Sequence, residues 1–86
     1  MTQGEIKDIV LKELVSIAPE LEGEEIDPDL NFRDQFDFDS IDFLNFAIGV
    51  HKKLEIDIPE VDYPKMSSLA GCIAYLESRL STIAKE

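Results

Sequence analysis

The amino-acid sequence predicts an all-α fold: a bundle of three main helices plus a short helical turn, with a long loop between the first two helices. Two observations carry that expectation. Apolar residues recur at intervals of three and four over residues 3–18, 40–54 and 67–83, the period of one helical face. Pro19, Gly23 and Pro28 then interrupt any period over residues 20–38. With 86 residues the chain is expected to form one domain, residues 1–86, with a modest core that needs no metal or disulfide staple.

In the first stretch Ile6, Ile9, Val10, Leu14 and Ile17 share one face, opposite Glu5, Asp8, Lys12 and Ser16, while Leu11 and Val15 lie off the main stripe. Pro19 stops this helix, and residues 20–38 read as one long ordered loop. Ile26, Leu30, Phe32 and Phe36 are expected to fold back onto the core, because burying each such side chain is worth ~1.5–3 kcal/mol. Asp27-x-Asp29-x-Asn31 copies the first half of a calcium loop. Phe32, however, stands where the sharp turn needs glycine and Phe38 where a bidentate glutamate belongs, so no metal site is expected and Pro28 reads as turn chemistry.

The second main helix, Ser40 to Leu54, is apolar on two faces. Phe43, Phe46, Ala47, Val50 and Leu54 form a core stripe, whereas Ile41, Leu44 and Ile48 form another that points elsewhere. A helix buried all round is hard to arrange in so short a chain, so the second stripe is expected to face a partner. Gly49 costs ~1 kcal/mol against alanine and implies close packing there. Ile56, Ile58 and Pro59 make an extended corner, followed by a short helical turn over residues 62–66 with Asp62 as its cap and Pro64 tolerated near its start. Ser67 or Ser68 caps the last helix, whose core face carries Leu69, Cys72, Ile73, Leu76, Leu80 and Ile83. Cys72 is thus a small core residue, and His51, with no cysteine or histidine near it, is a surface residue.

A single cysteine permits no internal disulfide, which fits a reducing compartment. The amino terminus lacks the basic residues and apolar run of a signal peptide, and no stretch approaches the roughly 18 apolar residues of a membrane span. A soluble, cytoplasmic chain is expected. The net charge of −11 disfavours nucleic acid and anionic membranes and favours a basic protein surface. Residues 20–39 hold nine acids against Arg33, and residues 55–62 hold four acids and no base, whereas the second helix ends in Lys52 and Lys53.

Ser40 sits where the acidic segment gives way to the second helix. Asp39 and Ser40 are both good N-cap residues, and Asp42 adds a first-turn carboxylate. A hydroxyl there is exposed and aimed, and free backbone N–H groups beside it suit a phosphate on that oxygen. On the residues alone Ser40 is either a cap or such an attachment point.

Taken together, the three helices, the long first loop, the short turn before the last helix and the serine at the second helix start resemble an acyl carrier protein. The likeness needs no gap from Phe32 to Leu76. Asp39-Ser40-Ile41-Asp42 is similar to that family's Asp-Ser-Leu-Asp attachment motif, and Phe32 falls at its loop phenylalanine. Ile58-Pro59-Glu60 is similar to its Ile-Pro-Asp corner, Ser67-Ser68-Leu69 to its Thr-Thr-Val helix start, and Tyr75 to its late tyrosine. The resemblance implies a covalent 4′-phosphopantetheine arm on Ser40, installed by a magnesium-dependent phosphopantetheinyl transferase with Asp39 helping to hold that metal. It implies acyl thioesters on the arm's thiol, shuttled between acyl-loading and acyl-transferring enzymes by a monomer that is not itself an enzyme. An acyl pocket would lie among Phe32, Phe46, Val50 and Ile73.

Two departures bear on partners. The glycine usual two or three residues before the serine is replaced by Asp37 and Phe38. The outer face of the second helix, acidic in the family, here carries Asn45, His51, Lys52 and Lys53, and Phe43 replaces a small polar residue. Partner contacts are expected at Ile41, Asp42, Leu44, Asn45, Ile48 and Lys52, in a dedicated fatty-acid, lipid or polyketide-type pathway. The competing reading is an unmodified helical interaction module using Ile41, Leu44 and Ile48, with Ser40 only a cap. No serine, histidine and aspartate arrangement supports independent catalysis.

Overall fold

The element order is α1 (Gln3–Ile17), α2 (Phe32–Gln35), α3 (Ser40–Leu54) and α4 (Leu69–Ala84), with 3-10 turns at Pro19–Leu21 and Glu60–Met66. The structure is a computed structural model that describes the backbone of residues 2–84 and the side chains of residues 2–80. The all-α architecture predicted from the helical periods is the one observed; among the described residues the only extended pairing is an isolated bridge between Asn31 and Ser68.

A capping box starts α1: Glu5 N–H donates to Thr2 Oγ1 at 3.2 Å and Thr2 N–H donates to Glu5 Oε1 at 3.0 Å. The helix ends at Ala18, the residue before Pro19, where the pyrrolidine ring disfavours helical backbone. Ile6, Val10 and Leu14 are fully buried, and α1 packs against both α3 and α4. The sequence placed Leu11 and Val15 off the core stripe, but both are half-buried against it.

The long loop is not free of secondary structure, contrary to expectation. It contains the Pro19–Leu21 turn and all of α2, which are too short to show a period in sequence. Gln35 explains part of its order: its amide donates to the Asp27 and Leu30 carbonyls and its oxygen accepts the Asp27 N–H. Asp27 Oδ1 accepts the Asp29 N–H at 3.0 Å, the local turn expected around Pro28. The loop is stapled to the start of α4 by Ala70 N–H to Pro28 O at 2.9 Å and Phe32 N–H to Ser67 O at 2.8 Å. Phe32 and Phe38 are buried, Ile26 and Phe36 half-buried, but Leu30 is 45% exposed, against expectation. Gln35 holds the Leu30 carbonyl, which fixes the backbone of this turn with the Leu30 side chain left in solvent.

Beyond α3, Glu55 adopts a left-handed conformation (φ 55°) and ends the helix. His51 is exposed as expected, yet it has a structural role: its Nδ1 donates to the Ile56 carbonyl, and the Ile56 N–H donates to His51 O. The next turn begins at Glu60, two residues before the predicted start, and Asp62 is not its cap. Instead the Asp62 carboxylate accepts the Tyr75 hydroxyl at 2.7 Å and pairs with Lys65 at 3.4 Å. Of the two candidate caps for α4, Ser68 is the one used: its Oγ accepts the Gly71 N–H at 3.1 Å. Cys72 is fully buried and bonds to the Met66 carbonyl, and Leu69 and Leu76 are core residues. Ile83 lies outside the described side chains.

Candidate attachment site at the start of helix α3

The first turn of α3 is built by its two aspartates. Asp39 Oδ1 accepts the Asp42 N–H at 2.8 Å and Asp42 Oδ2 accepts the Asp39 N–H at 3.3 Å, a complete capping box. Asp39 is therefore the N-cap and Ser40 the first helical residue. That one-residue shift frees the Ser40 hydroxyl from capping. Ser40 is exposed, and its Oγ makes no hydrogen bond among the described residues. The N–H groups of Ser40 and Ile41 belong to the first turn, where the helix leaves its donors unpaired and its dipole is positive.

A groove of about 600 Å³ opens beside Ser40. Its apolar wall is Ile41, Phe43 and Leu44 from α3 together with Tyr63 and Pro64 from the 3-10 turn. Asn31, Arg33 and Ser67 contribute polar groups, as do Asp39, Ser40 and Glu60. The turn that carries Tyr63 is clamped to α4 by the Tyr75 to Asp62 bond, and Arg79 adds a 2.7 Å bond to the Asp57 carbonyl. The tyrosine hydroxyl holds the Asp62 carboxyl below its ordinary range. Burial and the same bond push the Tyr75 phenol up to about 12.

Behind the groove the core is closed. Phe32 meets Phe36, Phe38 and Phe46 at centroid separations of 5.7 Å, and Phe43 bridges Phe46 at 6.0 Å and Tyr63 at 5.6 Å. Of the residues expected to line an acyl pocket, Phe32, Phe46 and Val50 are packed at 0–1% exposure. Ile73 is half-buried on α4 and borders a separate cavity with Pro28 and Ala74. The sequence missed the Phe43 to Tyr63 pair, whose members lie on different elements with no local pattern to join them.

The outer face of α3 matches expectation in its exposure. Ile41, Leu44 and Ile48 are 68%, 43% and 39% exposed, forming an apolar strip, and Asn45, Lys52 and Lys53 are exposed as well. Asp42 is half-buried by its capping role. Val61, at 82%, adds an exposed apolar residue that the sequence did not single out. Among the described residues no group of three histidine, cysteine or acidic side chains could hold a metal ion, and no helix is long and apolar enough to cross a membrane.

Comparison with known proteins agrees with this geometry. The family described as a phosphopantetheine attachment site matches residues 9–76. An acyl carrier protein of Lactobacillus johnsonii is 28% identical over 78 residues, covering 91% of this chain and 96% of that protein. The meromycolate extension acyl carrier protein of Mycolicibacterium aurum is 25% identical, over 78% of this chain and 69% of the relative. The polyketide synthase PksN of Bacillus subtilis is 33% identical over 88% of this chain, which corresponds to 1% of that synthase. No solved structure matches the chain significantly. The exposed serine at the mouth of α3, the groove beside it and a family match across most of its length make this chain a member of the phosphopantetheine attachment-site family.

Proposed function

We propose that residues 1–86 act as a single carrier domain whose Ser40 Oγ bears the 4′-phosphopantetheine arm, holding acyl groups and passing them between enzymes. The observation that carries this reading is the division of labour at the helix start: Asp39 caps, so Ser40 presents a hydroxyl with no partner among the described residues. When attached, the arm supplies a thiol that forms thioesters. This chain supplies position. Its serine hydroxyl has no base hydrogen-bonded to it, so a separate transferase must take the proton as the coenzyme A pyrophosphate bond breaks, the Ser40 phosphodiester forms and adenosine 3′,5′-bisphosphate leaves. Asp39 sits beside that oxygen with one carboxylate oxygen engaged by Asp42, and its second is the one to assist the transferase metal.

Partner enzymes dock on Ile41, Leu44 and Ile48, with Asp42 and Asn45 near the arm and Lys52 at the far end. That strip is apolar where an acidic face would select basic partners, and its basic end repels them, which supports service in one dedicated pathway. A lodging for the acyl chain among Phe32, Phe46, Val50 and Ile73 exists only if the closed core parts. The setting that composition supports is the cytoplasm, with the protein working as a monomer.

The decisive experiment is intact mass after incubation with coenzyme A and a phosphopantetheinyl transferase. A gain of one arm, absent in Ser40→Ala, is expected. No gain under conditions that load a control carrier would return the chain to the class of unmodified interaction modules.

A further inference from the structure

We propose that Arg33 is a substrate-binding residue of the loading reaction: its guanidinium meets the pyrophosphate of coenzyme A as a transferase brings that donor to Ser40. The inference rests on Ser40 being the attachment point, and it concerns the donor's approach.

Arg33 is the one base among nine acids in residues 20–39, and it is exposed. It pairs with none of them, since no ion pair or hydrogen bond holds its side chain among the described residues. Its backbone, by contrast, is fixed. Arg33 lies on α2 between Phe32, whose ring is buried and whose N–H donates to the Ser67 carbonyl at 2.8 Å, and Asp34, whose N–H donates to the Asn31 carbonyl at 3.0 Å. From that root the side chain borders two hollows, one shared with Asp39 and Ser40 and the other with Asp37 and Asp39. No other base lines either hollow.

The surroundings of Ser40 otherwise repel an anionic donor. Asp37, Asp39 and Asp42 flank it in sequence and Glu60 faces the same hollow, on a chain of net charge −11. In the transfer, Ser40 Oγ attacks the phosphorus that carries the pantetheine. The bond from that phosphorus to the bridging oxygen breaks, the hydroxyl proton passes to a base of the transferase, and adenosine 3′,5′-bisphosphate departs with the electron pair. Negative charge gathers on the departing oxygen, and a guanidinium suits it because its planar fork of N–H donors matches phosphate oxygens. Arg33 and Asp39 are not paired with each other, so the guanidinium stays available to the donor and the second Asp39 oxygen to the transferase metal. Other bases are badly placed for this task. Lys52 and Lys53 lie at the far end of α3, about 18 Å along the helix from Ser40, and Lys65 is engaged by Asp62.

The test is a binding measurement on full chains that cannot turn over. Ser40→Ala and the double variant Ser40→Ala, Arg33→Gln are titrated against a transferase that loads the native chain. Each titration is run with the enzyme free of coenzyme A and again with it saturated by coenzyme A and magnesium. The two chains are expected to bind the free enzyme equally. On the coenzyme A complex the double variant should bind about tenfold more weakly, the ratio set by one hydrogen-bonded contact to a charged group. Arg33→Lys in the same background keeps the charge without the fork and should fall between them; a lysine variant no better than glutamine would rule out a contact made by charge. An equal loss on both enzyme forms would mean that Arg33 meets an acidic patch of the transferase itself, which overturns the assignment, as does no loss on either. Arg33 is exposed and unpaired, so these substitutions leave the fold unchanged. Failure of the native chain to gain an arm by intact mass is a separate result that removes the attachment reading. A native chain that is loaded, with no coenzyme A-dependent loss at Arg33→Gln, keeps its carrier function and lacks this contact.

Discussion

Ser40 and Cys72 each carry a side chain that could be taken for a nucleophile, and their surroundings give them opposite fates. Ser40 is solvent-exposed at the first position of α3, relieved of capping by Asp39. Cys72 is fully buried, with its Sγ against the Met66 carbonyl, and burial pushes its thiol well up from the ordinary range. It is the chain's single cysteine. The unloaded protein is therefore expected to resist a maleimide at neutral pH while folded and to react once in denaturant. After loading, one equivalent should react under native conditions, at the arm. Fast native labelling of the unloaded protein, read by mass, would show that Cys72 is not sealed in the core.

Among the elements, α3 and α4 each carry a glycine in helical conformation, and neighbouring elements press on both. A methyl group at Gly71 would meet the Lys65 carbonyl oxygen at 2.6 Å, and that oxygen belongs to the backbone of the adjoining turn. Gly71→Ala is expected to destabilise the fold by ~1–3 kcal/mol, as overpacking does where nothing can yield. At Gly49 the group in the way is the Glu13 side chain from α1, whose carboxyl carbon would lie 3.1 Å from the new methyl. Glu13 is half-buried and flexible, so it can swing outward. Gly49→Ala should then stabilise by up to ~1 kcal/mol through helix propensity. Urea unfolding of the two variants should move their midpoints in opposite directions, and a loss at both positions would show that Glu13 is held in place.

For the whole molecule the governing quantity is charge. The chain has 19 acids against 8 lysines and arginines, and Lys65 with Asp62 is the one salt bridge among the described residues. Its radius of gyration, 12.2 Å, is close to the roughly 12 Å expected of a compact chain this long, so the surplus negative charge is confined to a small surface. Such self-repulsion destabilises the compact state and is screened over about 10 Å at 0.1 M salt. The melting temperature is expected to rise between about 10 mM and 150 mM sodium chloride. A fall over that range would mean that attractive pairs outweigh the repulsion.

The helices and their outward strip were legible in the sequence because period is a local property: Ile6, Val10 and Leu14 declare a buried face, and Ile41, Leu44 and Ile48 a second one, whatever lies opposite. A helix start at Asp39 or Ser40 with a first-turn carboxylate at Asp42 was legible too, but which residue capped, and that Asp42 closes a capping box with it, was not, because Asp39 and Ser40 serve equally well until the backbone is placed. Only the tertiary structure decided that Phe43 meets Tyr63, that Asp62 serves Tyr75 instead of a helix end, and that Gly71 lies against Lys65. Those contacts join segments through space, and their energies depend on distance and burial, which no one-dimensional pattern contains.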